Sequence, residues 1–127
     1  GAIQYKGRGT FIAGGAGITP MLAILRDQYS KRSEAVDQVF FANSSEKDLF
    51  LQEELEAISG RNLVLAYSEE DVDGAEHGRI DGAFLDKHLE CTDQFFYVCG
   101  PPKMVDSIEA LLKERGVPSE KIVTEES

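Results

Sequence analysis

The sequence predicts an α/β protein: a three-layer, doubly wound, five-stranded parallel sheet of strand order 3-2-1-4-5. Three observations lead there. Short β-branched and aromatic runs alternate with longer amphipathic stretches, the pattern of repeated strand-helix units. The strand candidates are apolar almost throughout, as strands covered by helices on both faces are. Right-handed crossovers and short connections then leave few arrangements, and the favoured one sets the first and fourth strands side by side.

The elements follow in order. The first strand is Thr10 to Ala13, and the helix after it has a marked start. Thr19 caps the free amides and Pro20 takes the first helical position, where its missing N–H costs nothing. Met21, Ile24, Leu25 and Tyr29 form its apolar stripe. The second strand is Gln38 to Ala42. A second helix begins near Ser45, with Asp48 as an imperfect capping box and Leu51, Leu55 and Ile58 at helical spacing, and Gly60 ends it. The third strand is Asn62 to Tyr67, and the acidic stretch Glu69 to Glu76, with Gly74 inside it, reads as a solvated loop. A short third helix runs from Asp81 with Phe84, Leu85, His88 and Leu89 on one side. The fourth strand is Phe95 to Cys99. The last helix opens at Pro101 and Pro102, turns Met104, Val105, Ile108, Leu111 and Leu112 inward, and is closed by Gly116 with Pro118 beyond. Lys121 to Thr124 is the fifth strand.

Composition bounds the function. With 127 residues the chain fits one domain, large enough to bury a core without disulfide or metal staples. Thirteen Lys and Arg against 23 Asp and Glu give a net charge of −10, which repels DNA or RNA, so no nucleic-acid partner is expected. No apolar run approaches the roughly 20 residues that span a bilayer, and Gly1 to Gly9 lack the pattern of a secretory signal. No membrane partner and a cytoplasmic location are therefore the expectation. Cys91 and Cys99 form no CxxC and no Cys/His cluster, so neither a metal site nor a disulfide framework is expected.

Ligands of an open parallel sheet bind beyond the carboxyl ends of the strands, where the winding direction reverses. Both unusual loops fall there. Gly14-Gly15-Ala16-Gly17-Ile18-Thr19-Pro20 follows the first strand and Cys99-Gly100-Pro101-Pro102 follows the fourth. The first lacks the Lys-Ser/Thr ending of a triphosphate P-loop, and Pro20 stands where GxGxxG has its third glycine. Two readings of it stand: a cradle that lets a phosphate approach the backbone at a helix N-terminus, and a tight strand-to-helix turn. Cys99 ends its strand at the crevice, where its thiol borders the place of a flat ring; the alternative is a small core hydrophobe. With no adjacent base it is not read as a nucleophile. Asn43-Ser44-Ser45-Glu46-Lys47, after the second strand, lies where an adenosine ribose would be met. Glu46 and the absence of Arg favour NADH over NADPH there, with a purely local helix cap as the other reading. His77 and His88 read as structural or surface residues. Glu53, Glu54, Glu56 and the run from Glu69 to Asp73 read as solvated surface in preference to a docking face.

Three motifs give a family resemblance: Gly14 to Pro20, Phe41-Ala42-Asn43-Ser44-Ser45-Glu46-Lys47-Asp48-Leu49, and Tyr97-Val98-Cys99-Gly100-Pro101-Pro102-Lys103-Met104. With the element order they cover nearly the whole chain, which resembles the C-terminal nucleotide-binding domain of the ferredoxin–NADP reductase-like family. The resemblance implies an NAD(P)H-dependent flavin reductase, with NADH favoured. Residues 9–127 would be the NAD(P)-binding domain, and residues 1–8 the connection from an N-terminal flavin domain holding FAD or FMN. This domain would present the nicotinamide to the flavin, and electrons would pass on to a flavodoxin, a ferredoxin or a small molecule. Gly15, Gly17 and Thr19 would bind the pyrophosphate, Gly14, Ile18 and Pro20 of the same turn would also bind the cofactor, and Asn43, Ser44 and Ser45 would approach the adenosine end. Cys99, Gly100 and Pro101 would border the nicotinamide, with Cys99 as the candidate catalytic residue, and Met104 would also bind the cofactor. Where family members often place an aromatic residue after the last strand, this chain has Glu125-Glu126-Ser127. The alternatives are a free-standing NAD(P)-binding regulatory module without redox turnover and an interaction domain without a ligand. NADH-dependent dye reduction with and without a flavin domain separates them.

Overall fold

The computed structural model describes residues 3–31, 38–43, 53–57, 63–67 and 76–124. Its sheet is parallel throughout and contains the five expected strands in the expected order. In chain order these are β1 (Gly9–Gly14), β2 (Gln38–Asn43), β3 (Leu63–Tyr67), then, after a short extra strand β4 (Glu76–His77), β5 (Phe95–Cys99) and β6 (Ile122–Thr124). The full order is β4-β3-β2-β1-β5-β6. The extra strand corrects the reading of Glu76 and His77 as loop: they pair with Ala66 and Tyr67 at the sheet edge. Two residues are too few to show a periodicity, and an unpaired edge backbone recruits them regardless of side chain.

Side chains alternate across the sheet into two cores, one per face. Phe11, Ala13, Val39, Phe41, Tyr97 and Cys99 point to the face covered by α1 (Ile18–Lys31), through Ile18, Met21 and Leu25. Ile12, Phe40, Ala66, Phe96 and Val98 point to the other. That face is covered by α2 (Gly82–His88), through Phe84 and Leu85, and by α3 (Pro102–Glu114), through Ile108 and Leu112. Residues 53–57 are helical, and Leu55 is fully buried in the α1-side core. The expected start of that helix at Ser45, and Leu51, Ile58 and Gly60, lie outside the described residues.

One helix start is corrected. A 3-10 turn, Gly15–Gly17, runs straight into α1, so Thr19 and Pro20 sit inside the first helical turn and not at its cap and first position. Three small residues let the chain wind immediately after β1, and a first-turn proline is tolerated because its N–H would lack an intrahelical acceptor. The start of α2 and the end of α3 match the sequence reading. The Asp81 side chain accepts from the Phe84 amide at 2.9 Å and caps α2. At the end of α3, Gly116 has φ +90°, with Gly116 N–H bonded to Lys113 and Val117 N–H to Leu112, both at 3.1 Å. That is a Schellman closure, and only a residue at ease with positive φ suits it.

Arg26 on α1 grips Glu54 with two hydrogen bonds of 2.6 and 2.7 Å, tying residues 53–57 to α1. The hydrogen bond from Arg26 holds the Glu54 carboxyl below its ordinary range. A depressed carboxylate stabilises the fold above its unfolded pKa, near 4.3, and that contribution disappears as pH falls through the lower folded value. The pair is solvent-exposed, so the effect is small and salt-sensitive. The melting temperature of Glu54→Gln should lie slightly below wild type at pH 7 and converge with it in acid; a gap unchanged at acidic pH would contradict this assignment. No described helix is long and apolar enough to cross a membrane.

Candidate functional site

The crevice lies at the carboxyl end of the sheet, at the β1/β5 junction where the winding reverses. Parallel register sets Ala13 beside Cys99, so the turns after these residues leave the sheet as neighbours. They then touch through backbone. A Cβ on Gly17 would stand 2.5 Å from the Cys99 carbonyl oxygen and 2.7 Å from the Gly100 nitrogen. A Cβ on Gly100 would meet the Gly14 nitrogen and oxygen at 3.4 Å and the Met104 sulfur at 2.9 Å. Glycine at 17 is thus what allows the two turns to close on each other, whereas a Cβ at 100 would press only on the flexible end of Met104.

Beside this contact opens a cleft of about 510 Å³, within the range of small-molecule sites. It is lined by Gly14 and Gly15, by Ala42 and Asn43 at the tip of β2, and by Pro101, Lys103, Met104 and Ser107 at the start of α3. Gly15 has φ +54° and no atom within 4 Å of where its Cβ would be, so its backbone faces open space. Gly78, Arg79 and Ile80 complete the lining.

That last segment is held from several sides. Gly78 N–H bonds the Tyr67 carbonyl at 2.8 Å, and Ile80 is buried in the α2/α3 core. Asp81 caps α2, and the next carbonyl, of Gly82, accepts from Arg115 at 3.3 Å while Arg115 also holds Asp86 at 2.9 Å. The Arg115 hydrogen bond lowers the Asp86 carboxyl below its ordinary range. Arg79 is therefore presented to the cleft from a fixed backbone with its side chain exposed. Neither Arg79 nor Lys103 makes an ion pair among the described residues, in a chain of net charge −10. Two uncompensated cations in one cleft are an anion-attracting feature.

Of the residues singled out in the sequence, Gly14, Gly15, Asn43, Pro101 and Met104 line this cleft. Gly17 and Gly100 form the backbone contact at its end. Ile18 and Cys99 are buried in the α1-side core, 4% and 1% exposed, so their side chains pack inward and any contact with a ligand falls to their main chain. Thr19 is exposed and Pro20 half-buried on the first turn of α1, away from the cleft lining. Ser44 and Ser45 lie outside the described residues. Sequence reading passed over Arg79, Lys103 and Ser107. Lys103 sits within a quoted motif, and Arg79 is flanked by Gly78 and a capped helix start, but their convergence depends on β4 bringing residues 78–80 back to the sheet.

Residues 11–110 match the family described as the oxidoreductase NAD-binding domain. The chain is 31% identical over 131 residues to a 1,2-phenylacetyl-CoA epoxidase subunit of Escherichia coli, covering 94% of this chain and 36% of that protein. It is 32% identical over 122 residues to the flavohemoprotein of Bacillus subtilis, covering 87% of this chain and 30% of the relative. Among solved structures, it superposes on the flavohem-like FAD/NAD-binding domain of the nitric oxide dioxygenase of Vibrio cholerae with a TM-score of 0.82 and 26% identity, over 98% of this chain and 54% of the other. The chain thus spans about a third of the length of these curated relatives.

Proposed function

Because the chain belongs to the oxidoreductase NAD-binding domain family, we propose that it holds NADH, or NADPH, for hydride transfer to a flavin carried by a separate domain of the same protein. The observation that carries this is the backbone closure of Gly17 on Cys99 and Gly100 at the head of a cleft with two uncompensated cations. The residues present fit a dinucleotide: apolar Ala42, Ile80, Pro101 and Met104 for flat rings, Asn43 and Ser107 for hydroxyls, Arg79 and Lys103 for phosphate charge.

When bound, the nucleotide supplies the hydride. The open backbone at Gly15, next to Gly14 on the cleft lining, lets a phosphate approach, and Gly17, Ile18, Thr19 and Pro20 set the helix start whose dipole favours that charge. Asn43, with Ser44 and Ser45, serves the adenosine end. Cys99, Gly100, Pro101 and Met104 border the nicotinamide, with the Cys99 side chain packed below as a support and its main chain at the edge. The chain's contribution is to position and to exclude water. In this reading residues 1–8 connect to a flavin domain with FAD or FMN, electrons pass to a flavodoxin, a ferredoxin or a small molecule, and the protein is cytoplasmic. This chain alone does not turn over without that domain.

Titration with NADH and NADPH, followed by NMR at Gly15, Gly17 and Gly100, tests the reading. Shifts at all three with NADH are expected, and no shift with either nucleotide retires it. NADH-dependent dye reduction only when the flavin domain is present excludes a purely regulatory module. A further expectation concerns the cations. Exposed pairs contribute about 1 kcal/mol or less each, so reversing both in Arg79→Glu/Lys103→Glu should weaken NADH binding about tenfold or more and flatten its salt dependence. Unchanged calorimetric affinity would remove both from the site.

A further inference from the structure

Outside the cleft, the hydroxyl of Tyr97 makes three hydrogen bonds to the segment that enters the domain. It accepts from the Lys6 and Gly7 amides at 2.9 and 3.0 Å and donates to the Gly7 carbonyl at 2.5 Å, across about ninety residues of sequence. The ring is fully buried and stacks on Phe11 at 4.5 Å and on Tyr5 at 5.7 Å. Ile3 is buried in the same core, 6% exposed. A hydroxyl that uses one donor and two acceptor sites on a single stretch of main chain fixes that stretch in position and direction. Water would satisfy the same amides with no directional demand, so the arrangement does more than remove unpaired groups.

Tyr97 also lies two residues before Cys99 on β5, with Phe11 opposite it and Ala13 opposite Cys99. One short, fully hydrogen-bonded strand therefore joins the entering segment to the turn that closes on Gly17. Strand backbone does not stretch or bend over two residues without breaking its ladder.

We propose that Tyr97 is a positioning residue: it locks residues 3–7 to the strand that carries the Cys99–Gly100 turn, so that whatever precedes this domain meets the site at a fixed distance and orientation. The inference rests on the proposed function, in which the preceding element is the flavin domain. A flexible joint between the two domains must then lie upstream of Ile3. The lock matters for the reaction because hydride transfer needs donor and acceptor at contact distance, and a displacement of about 1 Å costs on the order of a hundredfold in rate.

Tyr97→Phe tests it, since the variant keeps the stacked ring and the core volume and deletes only the hydroxyl. Two readouts are taken on the flavin-loaded full-length protein: trypsin cleavage after the exposed Lys6 and Arg8, and bleaching of the flavin absorbance on mixing with NADH. Cleavage at those two sites should accelerate about tenfold or more as the amide bonds open. The limiting bleaching rate should fall about tenfold or more, while the NADH concentration giving half that rate stays within about twofold. Equal cleavage in both proteins overturns the lock, as does faster cleavage with an unchanged bleaching rate. A fall in rate accompanied by an equal loss of NADH affinity also overturns it, since damage to the cleft would then suffice. Wild type that binds NADH without bleaching the flavin would instead refute the proposed function, and the trypsin result would still decide the lock. Gly7→Ala is a second route to the same result, because its Cβ would press on the Phe95 ring at 2.9 Å with φ +153° and loosen the segment without touching the hydroxyl.

Discussion

Gly17→Ala is expected to remove most nucleotide binding. Its added methyl would stand 2.5 Å from the Cys99 oxygen, 2.6 Å from the Cys99 carbonyl carbon and 2.7 Å from the Gly100 nitrogen. All three are backbone atoms: Cys99 is paired with Ala13 of β1, one residue past the Val98–Thr124 pairing with β6, and Gly100 follows it directly. Nothing there rotates away, so the two turns have to part. Overpacking of this kind costs about 1–3 kcal/mol of stability, and the same separation opens the anion-facing end of the cleft. NADH affinity measured by calorimetry should drop tenfold or more, in a protein whose circular dichroism stays native. Gly14→Ala is the internal control. Its methyl would run into the Met104 sulfur, but that is the far end of a flexible side chain on the cleft wall and can swing aside. The damage at position 14 should be clearly the smaller of the two. Equal affinities for Gly17→Ala and wild type would mean that closure of the turns is not what shapes the site.

Phe40→Ala should have the largest effect on stability. Phe40 is fully buried at the centre of the α2/α3-side core, edge-on to Phe84 at 5.2 Å and near the His88 ring at 6.3 Å. Truncating such a ring removes its burial and leaves a cavity, at about 3–5 kcal/mol. Against a total stability of about 5–15 kcal/mol this is a large share, and a melting temperature lower by roughly 10–20 °C should result. The loss reaches the site, because Phe40 shares its core with Ile80, the buried anchor of the wall that presents Arg79. NADH at a hundred times its Kd would restore about 2.7 kcal/mol by mass action if the cleft survives. Thermal shift with and without NADH measures both. A melting temperature within a few degrees of wild type would show that the core relaxes around the deletion.

The five expected strands were readable because each is a dense apolar run, and α2 and α3 carry their own punctuation. Asp81 as a cap and Gly116 as a closure act within a few residues, so their chemistry is visible in the sequence. The first turn of α1 was misplaced for the opposite reason. Thr19-Pro20 makes a good local start, but the packing of Gly17 against Cys99, from the far end of the chain, begins the winding earlier. At the site, the glycines announced themselves by composition and were found to meet as the strand order requires. Arg79 did not, because its place depends on a two-residue strand that no pattern reveals. Cys99 was legible as a strand end at the crevice, whereas the direction of its side chain follows from the alternation that puts Tyr97 and Cys99 on the α1 face. Ser44 and Ser45 lie outside what the structure describes.

The glycine turn and the two cations stand on different pieces of the chain, the first on the β1–α1 unit and the others on the segments opening α2 and α3. Attraction for charge and the shape of the backbone seat can therefore drift independently under mutation. A descendant of this chain could weaken its pull on phosphate by exchanging surface residues at 79 and 103, and leave the junction of its two turns untouched.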